Sequence, residues 1–268
     1  MALTTNELFS RIKPSQIREF DELFRSVEGC IPMTIGEPDF DMPENVKRAA
    51  IKAIEDNASH YAHTSGEIGV RKAVSEFLEK QYDLHYDPET EIVMTVGATE
   101  GLFAAAFGLL NPGDQVIIPS PYFPLYSYAV ELNRGECILV DTSDTGFLMT
   151  PELLHKTMAE NKNVKALFLN YPSNPTGATY TKDELIALAD AIKQYDIFVL
   201  SDEIYSEITY VEKHTSIATL LRDRTILFQG ASKAFAMTGW RVGVLAADAK
   251  WMKTLFLAHQ QLVTTGVT

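Results

Sequence analysis

Seven short apolar runs punctuate the chain between residues 92 and 246, and they constrain its fold more than any other feature. They lie at 92–96, 116–118, 137–140, 166–169, 197–200, 225–228 and 242–246. Most are apolar at successive positions and not at alternate ones, which is the pattern of strands buried on both faces. Amphipathic helical patterns separate them at 100–110, 151–160, 182–194 and 249–260, and two more precede them at 44–56 and 69–82. Thr181, followed three residues later by Glu184, is a capping-box signature for the start of one helix. Near the N-terminus, apolar residues from Leu8 to Val27 recur at roughly helical spacing, interrupted at Pro14. Buried strands alternating with helices predict an α/β fold, a mostly parallel sheet sandwiched by helices.

In such sheets ligands bind beyond the carboxyl ends of the strands, so the residues after each run carry the functional argument. Gly97-Ala98-Thr99-Glu100-Gly101 follows the first run and leads into a helix. Small residues there expose backbone N–H groups to an anion such as phosphate, although a plain strand-to-helix turn needs no more. Asn170-Tyr171-Pro172-Ser173-Asn174-Pro175-Thr176-Gly177 follows the fourth run, and its two prolines and glycine stiffen a polar loop that presents Asn174. Ser201-Asp202-Glu203-Ile204-Tyr205 follows the fifth, so Asp202 emerges directly from the core. A carboxylate there can hold a cationic ring nitrogen, or it can serve as a helix cap or a salt-bridge partner. Lys233 lies in a small-residue segment after the sixth run, and Arg241 precedes the seventh. Desolvation near other cations makes a lysine amine a nucleophile, and a guanidinium fork suits phosphate. A single lysine is more often a solvated charge, but four strand ends here converge on one chemical requirement.

Composition removes several other classes. With 23 Lys and Arg against 36 Asp and Glu, the net charge is −13, which disfavours nucleic acid and anionic membranes as partners. Two cysteines, Cys30 and Cys137, give neither a disulfide framework nor zinc-ligand spacing, and the six histidines are scattered without a carboxylate cluster, so no metal is expected. No secretory n-region or h-region opens the chain, and the most apolar stretch, 102–110, falls far short of the roughly 20 residues of a membrane span. A soluble, cytoplasmic protein is therefore expected. Gly-x-Ser-x-Gly, P-loop and dinucleotide fingerprints are absent.

Taken in order, these segments resemble the class I/II aminotransferases, pyridoxal-phosphate enzymes of fold type I. The likeness runs from Thr34-Ile35-Gly36-Glu37-Pro38 to the end of the chain. It is carried most specifically by Ser232-Lys233 through Thr238-Gly239-Trp240-Arg241-Val242-Gly243, together with Ser173-Asn174-Pro175-Thr176-Gly177 and Ser201-Asp202-Glu203-Ile204-Tyr205. Within the family, residues 200–210 and 216–219 are similar to the N-acetyl-LL-diaminopimelate and aromatic aminotransferase group.

The resemblance implies an aspartate aminotransferase-like large domain over residues 43–268, with residues 1–42 forming an N-terminal arm and small-domain segment. It implies pyridoxal 5'-phosphate as cofactor, Lys233 as its Schiff-base lysine, Asp202 as partner of the ring nitrogen, and Tyr205 and Asn174 as partners of the ring oxygen. Gly97, Ala98, Thr99 and Arg241 match the phosphate site, and Phe123 matches the aromatic residue stacked on the ring. Tyr61 matches a tyrosine that reaches the phosphate of a neighbouring subunit, which implies a homodimer with shared sites. Gly36 matches a glycine whose backbone contacts the substrate carboxylate. The implied reaction moves an amino group between an L-amino acid and a 2-oxo acid in a ping-pong sequence.

Two departures stand out. Gly230 occupies a position where the family often has serine. Relatives also continue well past Thr268 into a C-terminal small domain, so that domain is expected to be largely missing here. A carbon–sulfur lyase of the same fold, or a cofactor-binding sensor without turnover, would share the same machinery.

Overall fold

The computed structural model describes residues 3–266, except residues 11, 13, 15 and 211. Residues 1, 2, 267 and 268, at the ends of the two expected domains, lie outside the described residues. The chain separates into two compact units, Met1–Asp41 and Met42–Thr268. In the first, a short 3-10 turn, Glu7–Ser10, precedes helix α1, Gln16–Arg25, and the expected break near Pro14 falls between them. Asp21 on α1 accepts hydrogen bonds from Arg25 Nε at 2.8 Å and from Thr34 Oγ1 at 2.7 Å, which hold its carboxyl below the usual range.

The second unit contains helices α2 (Glu44–Glu55) and α3 (Ile68–Tyr82), strand β1 (Ile92–Val96), α4 (Gly97–Leu109), β2 (Gln115–Ser120), α5 (Leu125–Leu132) and β3 (Glu136–Asp141). It continues with α6 (Pro151–Glu160), β4 (Val164–Asn170), α7 (Lys182–Ile192), β5 (Phe198–Asp202), β6 (Thr225–Gly230), α8 (Ala231–Ala234), β7 (Val242–Ala246) and α9 (Ala249–Val263). All seven apolar runs are strands of one sheet, in the order β1-β7-β6-β5-β4-β2-β3. The capping box at Thr181 forms: its hydroxyl accepts from Glu184 N at 3.3 Å, and the Glu184 carboxylate accepts from Thr181 N at 2.8 Å.

Successive strand residues are apolar because both faces of the sheet are covered. Val116, Ile118, Phe168, Leu200 and Phe228 pack with α4, α5 and α9 on one side. Ile117, Leu167, Leu169 and Val199 pack with α6 and α7 on the other. A third cluster joins Leu78 and Tyr82 of α3 to Ile92, Leu227 and Val244. Each buried side chain of this size contributes about 1.5–3 kcal/mol, so polar residues at the strand ends need a specific reason to be there.

Two details differ from the sequence reading. The helix expected from residue 100 begins at Gly97, directly after β1. Eight-residue α5 falls where no helix was expected. The sheet is mostly parallel, but β7 is antiparallel to both β1 and β6. That reversal decides the site. It places the start of β7, and with it Arg241, on the edge where β1, β2, β4, β5 and β6 end.

Candidate active site

At that edge, Gly97 opens α4 with φ +68°. Its N–H donates to the Arg241 carbonyl at 2.7 Å, and a Cβ at Gly97 would collide with the Arg241 guanidinium. Only glycine allows the guanidinium to lie against the first residue of the helix. Gly243, two residues into β7, is constrained in the same way, because a Cβ there would meet the Gly97 and Ala98 backbone. The result is a helix N-terminus with half-buried Ala98 and Thr99 behind it and a guanidinium across it. Both the dipole and the fork favour a dianion. Arg241 itself sits at φ +57°, with Nη1 donating to the Thr238 carbonyl at 3.1 Å.

Asp202 ends β5 and is only 4% exposed. It accepts from Tyr126 Oη at 2.8 Å and from Ile204 N at 3.2 Å. Burial pushes its carboxyl up to about 6, against the opposing pull of the Tyr126 hydrogen bond. Tyr126 is held by a stack on Phe168 with centroids 4.8 Å apart, and Phe123 packs edge-on against it at 5.8 Å. Asn170, paired with Asp202 across β4 and β5, donates from Nδ2 to the Asp202 carbonyl at 2.9 Å. Its Oδ1 accepts from Asn174 N at 2.7 Å and so fixes the start of the stiff loop.

Tyr205 follows one turn beyond Asp202. Its hydroxyl is raised by burial and by the Asp202 charge, and the Asn174 side chain hydrogen-bonds to it and opposes that rise. Half-buried Lys233, on α8, has its Nζ 5.6 Å from the Tyr205 ring centroid. Pro172, Ser173, Gly177, Tyr180, Tyr205 and Ile208 line a cleft of about 460 Å³ beside them.

The structure thus brings Gly97, Ala98, Thr99, Phe123, Asn174, Asp202, Tyr205, Lys233 and Arg241 to one edge of one sheet. Tyr61 is 91% exposed, and Gly36 lies in an exposed irregular stretch of the first unit. Tyr126 and Asn170 were missed as site residues. The register of the strands could have pointed to Asn170, but the place of Tyr126 depends on α5, which the sequence pattern did not reveal. Gly230 also gains a reason, since a Cβ there would come within 2.8 Å of the Val242 carbonyl and 3.1 Å of Ile204 Cδ1. The crossing of β6 and β7 leaves no room for a serine side chain without movement.

The comparisons with known proteins agree with this geometry. The profile of the family described as "Aminotransferase class I and II" matches residues 28–268. The "Probable N-acetyl-LL-diaminopimelate aminotransferase" of Bacillus subtilis is 44% identical over 253 residues, which are 94% of this chain and 64% of that protein. The "Aromatic-amino-acid aminotransferase 2" of Thermococcus litoralis is 38% identical over 98% of this chain and 68% of its own length. Among solved structures, the aspartate aminotransferase of Thermus thermophilus with maleate superposes with a TM-score of 0.93 at 35% identity, over 99% of this chain and 70% of that one. The fold is therefore that of the aspartate aminotransferases, and the chain belongs to the class I and II aminotransferase family. It spans about two thirds of the length of the relatives it matches.

Proposed function

We propose that this chain carries the cofactor-binding site of a pyridoxal-phosphate-dependent aminotransferase that acts on an L-amino acid and a 2-oxo acid. The observation that carries the reading is the convergence of an anion cradle, a buried carboxyl and a lysine amine on one sheet edge. The Arg241 guanidinium, lying where a Cβ at Gly97 would stand and so across the start of α4, is the fit for a phosphate, and the buried Asp202 carboxyl is the fit for a protonated ring nitrogen. Bound pyridoxal phosphate supplies an aldehyde for amino groups and a ring that withdraws electrons from the bond being broken.

Each residue then has a defined task. The helix start at Gly97, Ala98 and Thr99, with Arg241, holds the phosphate. Phe123 would provide an aromatic wall for the ring, and Asn174 and Tyr205 would be the donors to its oxygen. Asp202 keeps the ring nitrogen protonated, and a cation beside it would bring its carboxyl back below 6. Lys233 would hold the cofactor, and its amine is placed to take a proton from the substrate α-carbon and return it. Tyr61, exposed in the single chain, is suited to complete the phosphate site of a second copy, and Gly36 to contact the substrate carboxylate. Residues 1–42 act as an N-terminal arm and small-domain segment, and residues 43–268 as the large domain. The assembly is a cytoplasmic homodimer.

Borohydride reduction of the chain with pyridoxal phosphate, followed by peptide mass mapping, tests the reading. A phosphopyridoxyl group on Lys233, lost in Lys233→Ala, is the expected result. A folded sample with no adduct, or with label spread over surface lysines, overturns it.

A further inference from the structure

Behind the cradle, α9 reaches the start of α4 through one buried histidine. His259 is 0% exposed. Its Nδ1 lies 3.0 and 3.1 Å from the two Glu100 carboxylate oxygens, and its Nε2 lies 2.9 Å from the Thr64 carbonyl. A carboxylate and a carbonyl are both acceptors, so the ring is placed to donate from both nitrogens, the arrangement that suits an imidazolium. Glu100 also accepts from Val96 N at 3.3 Å, at the residue that caps α4. On the other side, Thr64 precedes Ser65, whose carbonyl takes Met94 N–H of β1 at 2.9 Å. A Cβ at Gly66 would collide with the Met94 side chain, so the loop that carries Tyr61 is tightly seated at this point.

The charge has a purpose at this location. A carboxylate in the first turn stabilises its own helix but repels an anion bound at the same N-terminus. A buried cation against Glu100 cancels that repulsion, and its second nitrogen ties down the Tyr61 loop. We propose that His259 is a positioning residue for the phosphate site, neutralising Glu100 beside the α4 N-terminus and anchoring the Tyr61 loop through Thr64. The proposal rests on the phosphate reading given above.

The charged group facing His259 from α4 is Glu100. The loop presents the Thr64 carbonyl, β1 carries no ionisable side chain, and Lys250 and Lys253 of α9 are exposed. Burial alone lowers an imidazole's pKa, but Glu100 and the Thr64 carbonyl outweigh it and hold this one above the ordinary value.

Histidine-selective 15N spectra of the full chain at pH 7.5, without added ligand, read the charge state directly. Both His259 nitrogens protonated is the expected result, and one unprotonated nitrogen overturns the proposal. Inorganic phosphate binding then tests the role. His259→Gln is expected to weaken it about fivefold, the scale of one charge near a helix end, and to speed exchange of the Met94 amide. The double variant His259→Gln/Glu100→Gln, which removes both charges, is expected to regain most of the phosphate affinity while Met94 exchange stays fast. Unchanged binding and exchange in His259→Gln overturn the positioning role. A wild-type chain that takes up no phosphate, with the ring still doubly protonated, overturns the cradle reading and the role built on it.

Discussion

Asp202 and Glu203 are neighbours in sequence, both buried and both carboxylic, yet they lie on opposite faces of the sheet in opposite circumstances. Glu203 is 0% exposed and accepts from Ser201 Oγ at 2.7 Å, Ser216 Oγ at 2.9 Å and Tyr171 Oη at 3.2 Å, with His214 Nε2 at 2.7 Å. Tyr171 in turn stacks on His214 and accepts from Ile217 N at 2.7 Å. Four side-chain groups converge on one carboxylate, and in its absence each would lose that buried partner. Asp202, on the face of α4 and α5, accepts from Tyr126 and one backbone N–H, and burial holds its carboxyl near 6. A buried carboxyl surrounded by donors ties loops to the core, whereas one with fewer donors keeps capacity for a ligand. The donors around Glu203 give it a structural role, whereas Asp202 keeps the capacity that the proposed function requires of it.

The largest expected effect comes from removing the better-partnered group. Glu203→Ala should cost about 3–5 kcal/mol in urea unfolding, because a buried network loses its central acceptor. A loss below about 1 kcal/mol would break the contrast.

Asp202→Asn should act in the opposite direction on stability. The Asp202 pKa is raised from 3.8 to about 6 on folding, so the folded state holds the proton more tightly than the unfolded one. Stability from this group is present below pH 3.8 and is lost as pH rises to about 6. The shift corresponds to about 3 kcal/mol at neutral pH. The variant keeps an acceptor for Tyr126 but must bury an amide N–H, so a net gain of about 1–2 kcal/mol is expected at pH 7 and none at pH 3.5. Thermal melts at the two pH values check this, and Asp202→Asn should also fail to form the reduced adduct at a normal rate. Equal melting shifts at both pH values would mean that ionisation of Asp202 carries no cost.

Tyr126→Phe sharpens the same contrast on a smaller scale. Its hydrogen bond lowers the Asp202 pKa, so the variant should move the carboxyl titration upward, read by 13C NMR of the side-chain carboxyl. The smallest effect is at His259, whose raised pKa acts with the same sign as that of Asp202. Its contribution is full below about 6.5 and declines as pH climbs through the folded value. A shallow fall in stability on the alkaline side, absent in His259→Gln, is the expected signature in pH-dependent melts.

The candidate site residues occur where short segments carry a strong local pattern. Asp202, Tyr205, Lys233 and Gly97 each follow a buried strand closely, so the apolar runs were enough to locate them at one edge. The structural partners do not share that property. Glu203 is linked to His214 and Ser216, 11 and 13 residues away, and His259 to Glu100, 159 residues away. Nothing in the local pattern at either end marks such a pair.

The sequence alone determined the alternation of strands and helices, because burial on both faces writes a run of apolar residues that needs no distant partner to recognise. It also determined which loops leave the strand ends, since glycine, proline and small residues mark the turns where they stand. Only the tertiary structure decided that β7 runs backwards between β1 and β6, and so that Arg241 reaches Gly97. Only it decided that Tyr126 supports Asp202 and that His259 answers Glu100. Strand order and helix docking are settled by the packing of whole faces against one another, a property distributed over many residues and visible in no single segment.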